Sequence, residues 1–214
     1  MRRRIICFIF TLLCLSSWGR SGYFYTPSPQ QLTSSKIQDV LQDSRGFLWI
    51  STEFGLNKFD GYNFTYFFNE TDNEQSLRFN STTCLFNDRE GRLWVGTVKG
   101  LDRYDAETNS FIHYTALCKD QPRINCLYQL RDGRVLVGTA GYGLFVVDEE
   151  KKQLKPLRGM TVHDEDGYFV KLLEDRKGNF WKLGHASTFT MKKGKDIKVF
   201  HSPCGIPVAL AEVD

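Results

Sequence analysis

The sequence predicts an all-β protein, a β-propeller of four-stranded antiparallel blades with about four blades present. Three observations predict it. A unit recurs at the period of a propeller blade. Each unit divides into short runs rich in aromatic and β-branched residues, separated by turn signals. No run sustains the three-to-four-residue spacing of an amphipathic helix.

The repeat is anchored on glycine. Gly46, Gly91, Gly133 and Gly178 start four copies, and three residues later stand Trp49, Trp94, Leu136 and Trp181. The next positions read "WIST", "WVGT", "LVGT" and "WKLG". Gly-Leu pairs follow in three copies, at Gly55, Gly100 and Gly143. Then come Phe59-Asp60, Tyr104-Asp105 and Val147-Asp148. An apolar segment precedes each anchor: "IQDVLQD", "TTCLFND", "INCLYQL" and "FVKLLED". For the first copy these features place strands at 37–42, 47–52, 56–60 and 63–68. Repeats of this length with four strands each are blades stacked around a channel. The tryptophans are then wedges between neighbouring blades. The glycine after Trp94 lets the next backbone come close.

The first residues stand apart. "MRRR" followed by "IICFIFTLLCL" and "SSWG" has the basic, apolar and small-residue regions of a secretory signal, assigned to 1–19. The apolar run is shorter than the roughly 20 residues of a bilayer span; an uncleaved anchor is the other reading. Cleavage removes three Arg and lowers the formal charge from +3 to zero. Nothing then favours a nucleic acid partner. Residues 20–36 form a closing strand, "YFYT", and a linker. The blades run over 37–79, 80–122, 123–166 and 167–205. "IPVALAEVD" at 206–214 opens a further blade, so the chain reads as part of a larger propeller. A closed four-bladed ring is the alternative.

Chemistry is sparse. Asp60, Asp105 and Asp148 recur at the same place in different copies. Repetition spreads them around a ring, whereas catalytic carboxylates converge on one pocket. They suit turns, as do Asp43, Asp88 and Asp175 before the first hairpins. The four His are scattered and pair with no Cys, so no metal site is expected. "HDEDG" at 163–167 lacks the first and closing ligands of a calcium loop. No nucleophile triad or phosphate-binding loop is present. Hence no catalytic residue, metal or cofactor is assigned. Cys84 and Cys126 share a repeat column, too far apart to bridge, while Cys118 to Cys126 is locally possible. The informative residues are those that differ at matched positions in the hairpins between second and third strands. These are Glu53 and Phe54, Lys99, Tyr142 and His185, candidates for binding a sugar or a partner protein.

"SSKIQDVLQDSRGFLWISTEFGLNKFDGYNF" closely resembles the first blade of the two-component regulator propeller family. The resemblance extends from Tyr23 to Asp214, strongest in the first two copies and weakest in the fourth. It implies a seven-bladed propeller of which this chain is a part. It also implies the periplasmic sensor region of a hybrid histidine kinase. Such a sensor would respond to glycan-derived ligands and act as a homodimer. The remaining blades and the kinase would lie outside this chain. A protein-binding scaffold and a secreted carbohydrate-active enzyme are the competing readings.

Overall fold

The computed structural model describes residues 31–118, 120–157, 169–184 and 188–202. The signal segment, the closing strand, the 163–167 loop, His163, His185, Cys204 and the started unit at 206–214 lie outside these residues.

Sixteen strands are described. The first blade holds β1 (Ile37–Gln42), β2 (Leu48–Thr52), β3 (Leu56–Phe59) and β4 (Phe64–Phe67). The second holds β5 (Thr82–Asn87), β6 (Leu93–Thr97), β7 (Gly100–Asp105) and β8 (Ser110–Ala116). The third holds β9 (Ile124–Gln129), β10 (Val135–Thr139), β11 (Leu144–Asp148) and β12 (Gln153–Pro156). The fourth holds β13 (Phe169–Glu174), β14 (Phe180–Gly184), β15 (Thr188–Lys193) and β16 (Asp196–His201). Within each blade consecutive strands pair antiparallel, and the inner strands β1, β5, β9 and β13 pack side by side. The fold is thus the propeller expected from the sequence. The strands of the first copy fall within one residue of their expected ends. One feature departs from separate four-stranded sheets. The outer strands β8 and β12 pair in parallel at Thr115 with Gln153 and Ala116 with Leu154, fusing blades two and three into one eight-stranded sheet. The Thr115 N–H donates to the Lys152 carbonyl at 3.1 Å. This contact covers part of an outer edge that would otherwise present free backbone groups.

The core lies between blades. Trp49 and Trp94 are fully buried. Trp49 packs edge-on against Tyr104 of the second blade, with ring centres 4.7 Å apart, and stacks on Phe67 of its own at 5.7 Å. Trp94 packs with Tyr114 beside Ile124, Val137 and Phe145 of the third blade. Trp181 is only half-buried and stacks on Phe200 of its own blade at 5.8 Å. Aromatic pairs of this kind add about 0.5–1.5 kcal/mol beyond burial.

Each wedge needs a partner for its indole N–H, and the first-hairpin aspartate supplies it. The Trp49, Trp94 and Trp181 Nε1 groups donate to Oδ2 of Asp43, Asp88 and Asp175 at 2.9, 2.8 and 2.9 Å. The other carboxylate oxygen, Oδ1, accepts two turn N–H groups in each case. These come from Arg45 and Phe47, from Glu90 and Arg92, and from Lys177 and Asn179. One residue thereby closes the turn and fixes the wedge. Burial pulls the Asp175 carboxyl upward, but the Trp181 and Asn179 donors outweigh it and hold it at about 2. The third blade replaces the pair by Leu130 and Leu136, both buried. Without an indole to satisfy, a carboxylate there would lose its buried donor, and an apolar pair takes its place.

The expected close approach at glycine is present. A Cβ on Gly96 would meet Cys84 Sγ at 2.5 Å and Ile124 Cγ2 at 3.0 Å. One on Gly138 would meet Cys126 Sγ and Phe169 Cβ, both at 2.6 Å. Cys84 and Cys126 are the cross-strand partners of these glycines. The shared cysteine column is therefore a packing device in which a thiol lies over a bare backbone. Both thiols are free and buried, and burial pushes Cys84 up to about 12. Cys118 is also free, so the locally possible Cys118–Cys126 bond is not formed. Cys118 Sγ instead donates to the Asp120 carbonyl at 2.8 Å.

Candidate functional site at the hairpin rim

Antiparallel order puts the turns after β2, β6 and β10 at one end of the blades, with the connections between blades. Each turn is closed by the last residue of the "WIST", "WVGT" or "LVGT" run. Thr52 Oγ1 donates to the Gly55 carbonyl at 2.9 Å and accepts the Phe54 N–H at 3.1 Å. Thr97 makes the same two bonds, to the Gly100 carbonyl at 2.9 Å and from the Lys99 N–H at 3.1 Å. Thr139 Oγ1 donates to the Gly143 carbonyl at 2.6 Å, across a turn one residue longer. Three matched frames thus present Phe54, Lys99 and Tyr142, each just before the glycine of the Gly-Leu pair.

The candidate residues do not share one cavity. Glu53 forms a surface ion pair with Lys36 at 2.8 Å, a kind worth little in water. Phe54 is 55% exposed, its ring 5.7 Å from Phe68. Tyr142 is 44% exposed on the third blade. Lys99 alone of these lines a described cavity, of about 380 Å³, shared with Arg78, Asp120 and Gln121. The Lys99 Nζ lies 4.5 Å from the centre of the Phe79 ring, within cation–π range.

Behind this cavity sits a group the sequence reading missed. Asp102 on β7 is fully buried. Its carboxylate accepts the Arg78 backbone N–H at 2.8 Å and Arg78 Nε at 3.3 Å, and it pairs with His113 Nδ1 at 2.7 Å. The first blade does the same job without charge. Asn57 Oδ1 accepts the Thr33 N–H at 3.0 Å, and Asn57 Nδ2 donates to Thr33 Oγ1 at 2.8 Å. Both clamps join the residue after Gly-Leu to the residue 13 places before the anchor glycine. The repeat columns held that signal, but the partners stand 24 residues apart and differ in chemistry.

At the opposite end, Asp60 Oδ1 accepts the Tyr62 and Asn63 N–H groups, Asp105 Oδ1 that of Glu107, and Asp148 Oδ1 that of Lys151. Asp148 also pairs with Lys155. The Asn63 and Tyr62 N–H groups hold Asp60 below the usual carboxylate range, the Glu107 N–H does so for Asp105, and the Lys155 ammonium for Asp148. A general acid working near neutral pH needs the opposite shift. These three residues are turn formers on three different blades.

The inner strands line a second cavity, of about 320 Å³, at the channel. Each of them bulges at the same column: Gln38, Thr83, Asn125 and Val170 are the extra residues. Thr83 Oγ1 donates to the Ile124 carbonyl at 2.6 Å, and Asp39 Oδ2 accepts the Leu85 N–H at 2.9 Å. These bonds tie neighbouring inner strands, so the polar groups here hold the ring together.

The two component regulator propeller family matches at residues 31–54 and 76–99. Histidine kinase P4 of Formosa agariphila is 37% identical over 74 residues, which is 34% of this chain and 5% of that protein. Among solved structures, one similar chain is the extracellular domain of BT4673 from B. thetaiotaomicron, assigned to a hybrid two-component system. Its TM-score is 0.66 at 22% identity, with 81% of this chain and 26% of that one covered. Virginiamycin B lyase from Staphylococcus aureus has a TM-score of 0.60 at 11% identity, covering 79% of this chain and 56% of the lyase. The chain therefore spans about a quarter of that extracellular domain and 5% of the histidine kinase, and the likeness to both solved structures is one of fold. The matched segments run from the clamp through the Asp–Trp hairpin to the rim turn, once in each of the first two blades, so the repeat of the two-component regulator propeller family is matched in two of the four described blades.

Proposed function

We propose that this chain is the extracytoplasmic, ligand-sensing propeller region of a two-component sensor, responding to a glycan-derived ligand. It would transmit that event, within a homodimer, to a histidine kinase carried by other segments. One observation carries the reading. Two consecutive blades match the regulator propeller repeat, while the rim turns of those blades and of the third present different side chains on a matched frame. A scaffold that only holds blades has no need of Phe54, Lys99 and Tyr142 at one matched position. Exposed aromatic rings and charged groups distributed along one rim suit the apolar faces and hydroxyls of sugars. The reading is non-catalytic, because the repeated acids are committed to turns. Calorimetry against a panel of oligosaccharides tests it. Binding to one class of saccharide is the expected result. Silence across the panel, with capture of a specific protein partner, would favour a scaffold propeller instead. Turnover of a saccharide would favour an enzyme.

A further inference from the structure

We infer that the cavity at the rim of the second blade, at Arg78 and Lys99, is a site for an acidic saccharide, one bearing a carboxylate or a sulfate. This rests on the sensing reading above and narrows it to a ligand charge and a place.

The argument starts from the two clamps. The neutral Thr33–Asn57 pair shows that joining an inter-blade segment to the third strand requires no charge. The second blade nevertheless uses Arg78 and a fully buried Asp102. Asp102 takes the backbone N–H and the Nε edge of Arg78, and a second cross-strand partner, His113, completes its shell. Among the described residues the Nη nitrogens of Arg78 make no hydrogen bond or ion pair. The guanidinium is thus held at one edge, with its two-pronged end uncommitted. Gly100 makes room for it: a Cβ there would lie 3.2 Å from Arg78 Cδ and 3.3 Å from Nε.

Lys99 brings the second charge. It stands on the closed Thr97 turn, lies over Phe79 and has no carboxylate partner among the described residues. Gln121 is spent on the Ala116 backbone, donating to its carbonyl at 3.3 Å and accepting its N–H at 2.9 Å, and so fixes the far wall. Asp120 completes the lining as an exposed acceptor. Arg78 is paired with Asp102 through Nε. Among the described lining residues this leaves Lys99 as the one unpaired cation and the Arg78 prongs as donors, while the Asp120 carboxylate is placed to accept from hydroxyls. Around about 380 Å³ this set suits a ligand that joins an anion to hydroxyl groups. The planar fork of Arg78 matches carboxylate and sulfate oxygens alike.

The test is calorimetry on the full chain with three disaccharides: digalacturonate for the carboxylate, 3′-sulfolactose for the sulfate, and lactose as the neutral control. At least one acidic sugar is expected to bind tenfold or more tightly than lactose, and more weakly as salt rises. Lys99→Met should lose tenfold or more of that affinity. So should the pair Arg78→Thr with Asp102→Asn, which installs the neutral clamp of the first blade. Lys99→Met touches no clamp, so it decides the matter even where the double variant folds poorly. Equal binding of lactose would overturn the charge assignment while leaving saccharide sensing intact. Acidic binding undiminished in Lys99→Met would overturn the site. Silence with all three sugars would overturn the acidic site, while binding of other neutral oligosaccharides would still support sensing.

Discussion

The two ends of the blades follow different rules. At the first-hairpin end, three copies out of four repeat the same bonds: one aspartate takes two turn N–H groups and one indole. At the rim end, the frame repeats and the side chains change, from Phe54 to Lys99 to Tyr142, and from a Thr–Asn clamp to an Arg–Asp clamp. A repeat protein must bury a wedge between every pair of blades, so the wedge and its partner recur. Recognition needs one site, so residues committed to it need appear only once. The third blade sharpens the contrast at the structural end. Where Trp gives way to Leu136, Asp gives way to Leu130, so even the exception keeps the buried polar groups paired or absent.

The largest effect is expected from the wedge itself. Trp94→Ala should lower the unfolding free energy by about 3–5 kcal/mol in urea denaturation, because it empties a fully buried aromatic site. A change below about 1 kcal/mol would mean the blades are not held there. Next comes the coupling between wedge and turn. Asp88→Leu and Trp94→Leu should each destabilise more alone than their separate packing losses require. The double variant, which copies the third blade, should recover about 1–2 kcal/mol relative to the sum in a double-mutant cycle. Additive effects would break the Asp–Trp unit into two independent residues.

Gly138→Ala should cost about 1–3 kcal/mol, since its new methyl meets Cys126 and the Phe169 backbone-proximal Cβ at 2.6 Å. A smaller pH effect follows from Asp175. Its carboxyl is held at about 2, against about 3.9 for an unfolded aspartate. A depressed value stabilises the fold fully above about pH 4, and that contribution is lost as the pH falls through about 2. The indole N–H resonance of Trp181 should therefore titrate with a midpoint near 2. A midpoint near 4 would show that the indole bond does not hold the charge.

Much of this architecture was legible. Glycine spacing exposed the blades, and apolar runs located the strands, because each strand must put alternate residues into a two-sided core. The roles of Trp49 and Gly96 followed from size alone. The Asp88–Trp94 bond was not read, although both columns were seen, because a turn role already accounted for the aspartate. The Arg78–Asp102 clamp was hidden for a different reason. Its first-blade counterpart uses other residue types, and only register brings residues 24 positions apart into contact. The shared cysteine column likewise made sense only once each thiol was found over its cross-strand glycine.

The division between a structural end and the proposed recognition end is tested most directly by amide chemical-shift mapping with an acidic disaccharide. Shifts are expected at 78–79, 97–100 and 120–121, with the Asp43, Asp88 and Asp175 turns unmoved. Shifts centred on those turns or on the channel bulges, with the rim silent, would contradict it.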